Sequence, residues 1–133
     1  MKVGRFMDYY TEQGVNLIEL WYEAQDDKVR VAFDFVIREI LATSELGDSP
    51  IFKPMKRQHR GLWEIVIEVH DAGGKRQLRP VGFWDYDERD FILVDGCEKA
   101  GKFTVPAGVF DNASDLLGRY FHEGRGTAHE HRI

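Results

Sequence analysis

Hydrophobic positions follow two different spacings along this chain, and the spacing changes near residue 50. Between residues 27 and 43, Val29, Ala32, Phe33, Val36, Ile37, Ile40 and Leu41 fall three and four apart. That is one apolar stripe of an amphipathic helix. Asp26 and Asp27 just ahead of it supply N-cap chemistry. EQGVNLIELWYEA, with Val15, Ile18 and Tyr22 at the same spacing, predicts a shorter helix before it. VGRFMDYY has the composition of a strand and opens the fold. TSELGDSP ends the long helix with loop residues.

Beyond residue 50 the period shortens. IFKPMKRQHRG is basic and contains Pro54, so it reads as a short strand or a loop. LWEIVIEV alternates, with Trp63, Ile65, Ile67 and Val69 on one face and Glu64 and Glu68 on the other. HDAGGK is a turn, and KRQLRPVGFW returns as the hairpin partner. DYDER turns again into the strand FILVDG, and EKAGKFTVP reads as a polar link. From about residue 106, Phe110, Ala113, Leu116, Leu117, Tyr120 and Phe121 return to helical spacing. The expectation is an α+β fold over residues 1–122, with two helices covering one face of an antiparallel meander and the other face partly open. Residues 123–133, rich in histidine and poor in core residues, form a tail or a short added strand.

Composition narrows the setting. A chain of 133 residues suits one domain with one core. It has no apolar run of membrane-spanning length, and MKVGRFMDYY has no signal-peptide h-region. Its one cysteine, Cys97, excludes an internal disulfide and a paired-cysteine metal motif, so a cytoplasmic location is expected. The net charge of −5 is unevenly spread. Residues 53–79 hold seven basic and three acidic side chains, a local net of +4.

Within that segment lies QLRPVGFW, residues 77–84. Arg79 and Pro80 interrupt strand residues there. An arginine inside a sheet is costly unless it is paired or faces a cleft. A proline gives the ladder no donor and belongs at an edge, bulge or bend.

Several stretches together resemble one family. They are DYYTEQGVNLIELWYEAQDDKVRVAFDFVIREI, GLWEI, LRPVGFW, FILVDGCEKAGKF and VPAGVFDNASDLL, spanning residues 6 to 122. The chain resembles the RelE/HigB toxin superfamily, in its phage-derived HigB-like branch. The resemblance implies an N-terminal helical hairpin packed on a curved antiparallel sheet, with a C-terminal helix. It implies a metal-independent endoribonuclease, without cofactor, that cleaves mRNA at the ribosome. It also implies silencing by a helix-turn-helix antitoxin. On this resemblance Arg79 matches an arginine that faces the RNA backbone, suited to the role by its permanent charge and planar fork. Lys99 and Lys102 resemble a basic pair after the third sheet strand. Lys53, Lys56 and Arg57 resemble a basic loop ahead of the hairpin. His59 and Glu98 are the candidates for proton transfer, and His129 and His131 are available where some relatives carry a C-terminal histidine.

Departures set limits. Val66 stands where many relatives have arginine, and this chain is acidic where active relatives are mostly basic. The alternative is therefore an inactive, phage-derived member that binds another protein. A gyrase-directed toxin of the ParE type shares the fold, but Arg79 and EKAGK count against it. Each candidate also has a plainer reading. Arg79 could pair with Glu64 or Glu68 across the hairpin. The lysines and the KPMKRQHR cluster could be solvated surface. His59 could be a surface histidine, Cys97 a buried inert thiol, and Trp63 and Trp84 core residues. The tail histidines lack the support a metal site needs.

Overall fold

The computed structural model describes residues 2–42 and 51–132. The loop expected at 43–50 lies outside the described residues. The chain order is β1 (Arg5–Tyr10), α1 (Leu17–Glu23), α2 (Asp27–Ala42), β2 (Phe52–Pro54), a 3-10 turn (Arg57–His59), β3 (Leu62–Ile65), β4 (Ile67–Asp71), β5 (Gly74–Asp85), β6 (Asp90–Ala100), β7 (Phe103–Val105), α3 (Val109–Glu123) and β8 (Thr127–Glu130). The class is α+β, as the pattern predicted. Among the described residues the strands form one eight-stranded sheet, with β2, β3, β5, β6, β1 and β8 side by side. β4 pairs with β5 and β7 with β6. No described helix is long and apolar enough to cross a membrane.

The sheet is mixed, which corrects the expectation of a purely antiparallel one. β1 runs parallel to β6, with Phe6 beside Phe91 and Asp8 beside Leu93. The two helices between β1 and the meander carry the chain across the sheet, so β1 can return beside β6 in the same direction. β8 then pairs antiparallel with the outer edge of β1. The tail is thus part of the sheet: the His131 amide also donates to the Phe6 carbonyl at 2.9 Å. EKAGKFTVP is the second correction. It is not a link but the end of β6 and a hairpin into β7, with Lys99 opposite Thr104.

Apolar alternation explains the layers. Ile65, Ile67, Val69, Leu78, Trp84 and Phe91 face α1 and α2, where they meet Ile18, Trp21, Val29, Phe33, Ile37 and Ile40. Leu62, Val81, Phe83, Ile92, Val94 and Cys97 face the other way, onto Val109, Ala113 and Leu116 of α3. Helices therefore pack on both faces, two against one. Asn16 sets the start of α1: its side chain accepts from the Glu19 amide at 3.0 Å and donates to Asp8 at 2.9 Å. This cap starts α1 later than the apolar spacing suggested and leaves Val15 outside it. Asp26 caps α2 by accepting from the Val29 amide at 3.0 Å, as expected for the Asp26–Asp27 signal.

Two glycines permit close approach. A Cβ at Gly96 would lie 2.3 Å from the Trp21 ring, and one at Gly82 would lie 2.1 Å from the Ile92 carbonyl oxygen. Gly82 sits where the β5–β6 register shifts, so this contact belongs to a bulge that bends the central pair.

Candidate functional site: a buried arginine beside a basic cavity

Pro80 accounts for the local geometry around Arg79. Glu64 pairs with Val81 and Ile67 pairs with Leu78. One register therefore runs through both pairings and sets Val66 opposite Arg79 and Ile65 opposite Pro80. LWEIVIEV is one strand in register, interrupted at Val66 because Pro80 has no amide proton to donate. The Val66 amide points the other way, toward β2, and donates to the Ile51 carbonyl at 2.9 Å. The position where many relatives were expected to carry a second arginine is thus the cross-strand neighbour of Arg79.

Arg79 points to the α3 side of the sheet, opposite Cys97 on β6 and two residues from Val81. It is only 7% exposed, more buried than a cleft-facing residue was expected to be. Its Nη2 donates to Gln77 Oε1 at 2.5 Å. Its Nε and Nη1 are buried and have no hydrogen-bond partner among the described residues. The two carboxylates proposed as partners are engaged elsewhere: Glu64 lies 3.9 Å from Lys53, and Glu68 lies 3.1 Å from Lys75. A buried guanidinium with two idle donors is costly, because burial removes the water that would otherwise satisfy them.

Lys99 joins Arg79 on this face. It pairs in register with Gln77, the residue that holds the guanidinium, and it lines a cavity of about 440 Å³. Lys102, Met55, His59, Phe110 and Asp111 line the same cavity. His59 Nε2 lies 2.7 Å from Asp111 Oδ1. Lys53 is on the same face through its cross-strand partner Glu64, which it neutralises. Lys56 and Arg57 are exposed on the 3-10 turn that carries His59. Arg57 has φ of 59°, a left-handed conformation unusual for a residue with a side chain.

Glu98 is not brought to this site. It pairs in register with Leu78, on the α1–α2 face, and its Oε1 accepts from Arg76 Nη2 at 2.7 Å. Arg76 also reaches Asp26 at 3.1 Å and Asp71 at 3.7 Å. Its pKa is raised, chiefly by the Glu98 hydrogen bond. That arginine ties α2 to the sheet. His131 is likewise on the far side, with Nδ1 2.7 Å from Asp8 Oδ1 and its ring 5.8 Å from that of Phe33. Neither tail histidine shares a face with Arg79: His129 stacks edge-on to Tyr10 at 4.8 Å. Cys97 is fully buried, and burial pushes its thiol up to about 12, which makes it inert. Trp84 is buried against Phe52, Trp63 and Phe91, so the tryptophans are core.

Asp111 is the site residue that sequence reasoning missed. Asp111 lies far from the basic segment in sequence, and only the docking of α3 onto the sheet brings it to His59. Asp95 is a second unanticipated group: burial pushes its carboxyl up to about 6. It lines a separate groove with Leu17, Leu20, Trp21, Val105 and Pro106.

The class these observations define is an α+β fold with a buried, incompletely paired arginine on the same sheet face as a cavity lined by Lys99 and Lys102. Compared with known proteins, the chain matches no described family, no curated protein and no solved structure.

Proposed function

We propose that the protein is a toxin of a toxin–antitoxin pair, acting as a metal-independent endoribonuclease on mRNA at the ribosome in the cytoplasm. The single observation that carries this reading is Arg79, whose buried Nε and Nη1 face no partner among the described residues while Glu64 and Glu68 pair with lysines. Such a fork suits the non-bridging oxygens of a phosphodiester, and its charge stabilises the pentacoordinate phosphorane. Lys99 and Lys102 add cations at the cavity wall, with Lys56 and Arg57 extending the track along the 3-10 turn. Each phosphate neutralised makes binding more sensitive to salt. RNA is the substrate because its 2′-hydroxyl provides the nucleophile. The resemblance described from LRPVGFW, FILVDGCEKAGKF and VPAGVFDNASDLL supports the same class. The partner that silences it is a helix-turn-helix antitoxin encoded beside it.

Induction in a bacterial host, with growth and mRNA integrity followed together, tests the reading. Growth arrest with cleaved mRNA supports it. Normal growth with intact mRNA at a verified level of folded protein removes it.

One observation favours a second reading, in which the fold binds a protein and has lost its chemistry. Leu20 and Val105 are exposed apolar residues lining the groove between α1 and β7. The net charge of −5 and Val66 opposite Arg79 point the same way. Under this reading Arg79→Ala leaves every cellular effect of the protein unchanged.

A further inference from the structure

His59 and Asp111 meet from separate elements, the 3-10 turn and the first turn of α3. The His59 side chain is 17% exposed and that of Asp111 is 79% exposed. The imidazole also stands edge-on to Phe110, with ring centroids 5.7 Å apart and an interplanar angle of 62°. Two consecutive residues of α3 therefore fix the ring. An ionised carboxylate can only accept, so the proton of the neutral ring resides on Nε2. Nδ1 is left as the nitrogen with the lone pair. The other charged groups lining this cavity are Lys99 and Lys102 from the β6–β7 hairpin. Lys56, Arg57 and Arg60 flank His59 along its own segment.

The fold contains a second histidine–carboxylate pair, His131 with Asp8, and its surroundings differ. Asp8 is buried and already accepts from Asn16, and β8 pins His131 by a backbone hydrogen bond. That pair closes the sheet edge. His59 and Asp111 instead join the 3-10 turn to α3 at the wall of the cavity that Lys99 also lines.

We propose that His59 is the catalytic base of the site, acting through Nδ1, and that Asp111 is its positioning residue. The inference rests on the RNA-cleaving reading above and assigns the proton transfer within it. In the step, Nδ1 takes the proton of a ribose 2′-hydroxyl. The 2′-oxygen forms a bond to the adjacent phosphorus while Arg79 holds the non-bridging oxygens. The bond from phosphorus to the 5′-oxygen breaks, and that oxygen keeps the electron pair and takes a proton from water. The imidazolium then returns its proton to solvent. The products carry a 2′,3′-cyclic phosphate and a free 5′-hydroxyl.

The test uses the full chain, an RNA oligonucleotide and ribosome-bound mRNA, with single-turnover rates measured across pH 5 to 9. His59→Gln should slow cleavage by about 100-fold or more, the usual contribution of a positioned base. Asp111→Asn should slow it by about 10-fold and alter the pH profile, while Asp111→Glu should retain most of the rate. Nitrogen NMR of the ring should find the proton on Nε2 in the wild type and lose that preference in Asp111→Asn, a change that a purely structural role would not tie to the rate. Wild-type cleavage rates in both His59→Gln and Asp111→Asn, with folding checked by the amide spectrum, would overturn the assignment and leave the RNA reading standing. A wild-type protein that cuts neither RNA would remove the RNA reading itself, and the assignment with it.

Discussion

Replacing Arg79 by methionine should make the protein more stable and less able to bind anions. Arg79 is 7% exposed, with one hydrogen bond to Gln77 and two buried donors that have no partner among the described residues. An unsatisfied buried polar group costs about 1–3 kcal/mol, and more when it is charged. Loss of the Gln77 bond offsets about 1 kcal/mol of that. Methionine fills similar space with an unbranched, adaptable chain, and exchanging buried charge for apolar side chains often gains about 1–4 kcal/mol. The net expectation is a gain of about 2 kcal/mol. At the usual unfolding entropy per residue, that raises Tm by about 7 °C for a chain of this size. Thermal melts with and without inorganic phosphate give both halves of the test. Phosphate at ten times its Kd should stabilise the wild type by about 1.4 kcal/mol through mass action and leave Arg79→Met unmoved. A Tm that falls in Arg79→Met, together with an unchanged response to phosphate, would refute the reasoning. It would mean that Arg79 is satisfied in solution and serves the core.

Gly96→Ala should lower stability by at least about 2 kcal/mol by melting, because its Cβ would lie 2.3 Å from the buried Trp21 ring. Asp95→Asn should stabilise the protein at pH 7, because its carboxyl titrates near 6 when folded against 3.8 in the unfolded chain. The sign follows from that elevation: the folded state binds the extra proton between those values, so stability is lost as pH rises from about 4 to 6. The gain in Asp95→Asn should therefore vanish in melts below about pH 4. Arg76→Ala should destabilise by about 1 kcal/mol, less so in 1 M salt, since a partly exposed ion-pair network is screened. Phosphate should stabilise that variant as it does the wild type.

Local pattern exposed much of this fold. The stripe from Val29 to Leu41 was legible because helical spacing is a local signal, although the face it marks is buried against strands remote in sequence. The alternation of LWEIVIEV gave the right face and the right hairpin, and Pro80 explains its interruption at Val66. The parallel pairing of β1 with β6 left no local trace, because residues more than eighty positions apart carry it, including the Arg5–Asp90 side-chain pair at 2.9 Å. β7 was hidden for a related reason. It is three residues long, with Phe103 and Val105 exposed, so no buried alternation marks it. At the site, charge clustering and the arginine within a strand pointed to Arg79, and the family resemblance of EKAGK pointed to Lys99. Sequence did not separate Lys99 from its neighbour Glu98, although strand alternation sends the two side chains to opposite faces. Asp111 became visible only when α3 docked beside the 3-10 turn.

The most direct test of the central claim is end-mapping of mRNA on ribosomes incubated with the purified protein. The wild type should produce new 5′-hydroxyl ends, and Arg79→Met, though folded and more stable, should produce them about 100- to 1000-fold more slowly. Intact mRNA with the wild type, or equal cleavage by both proteins, would contradict the account.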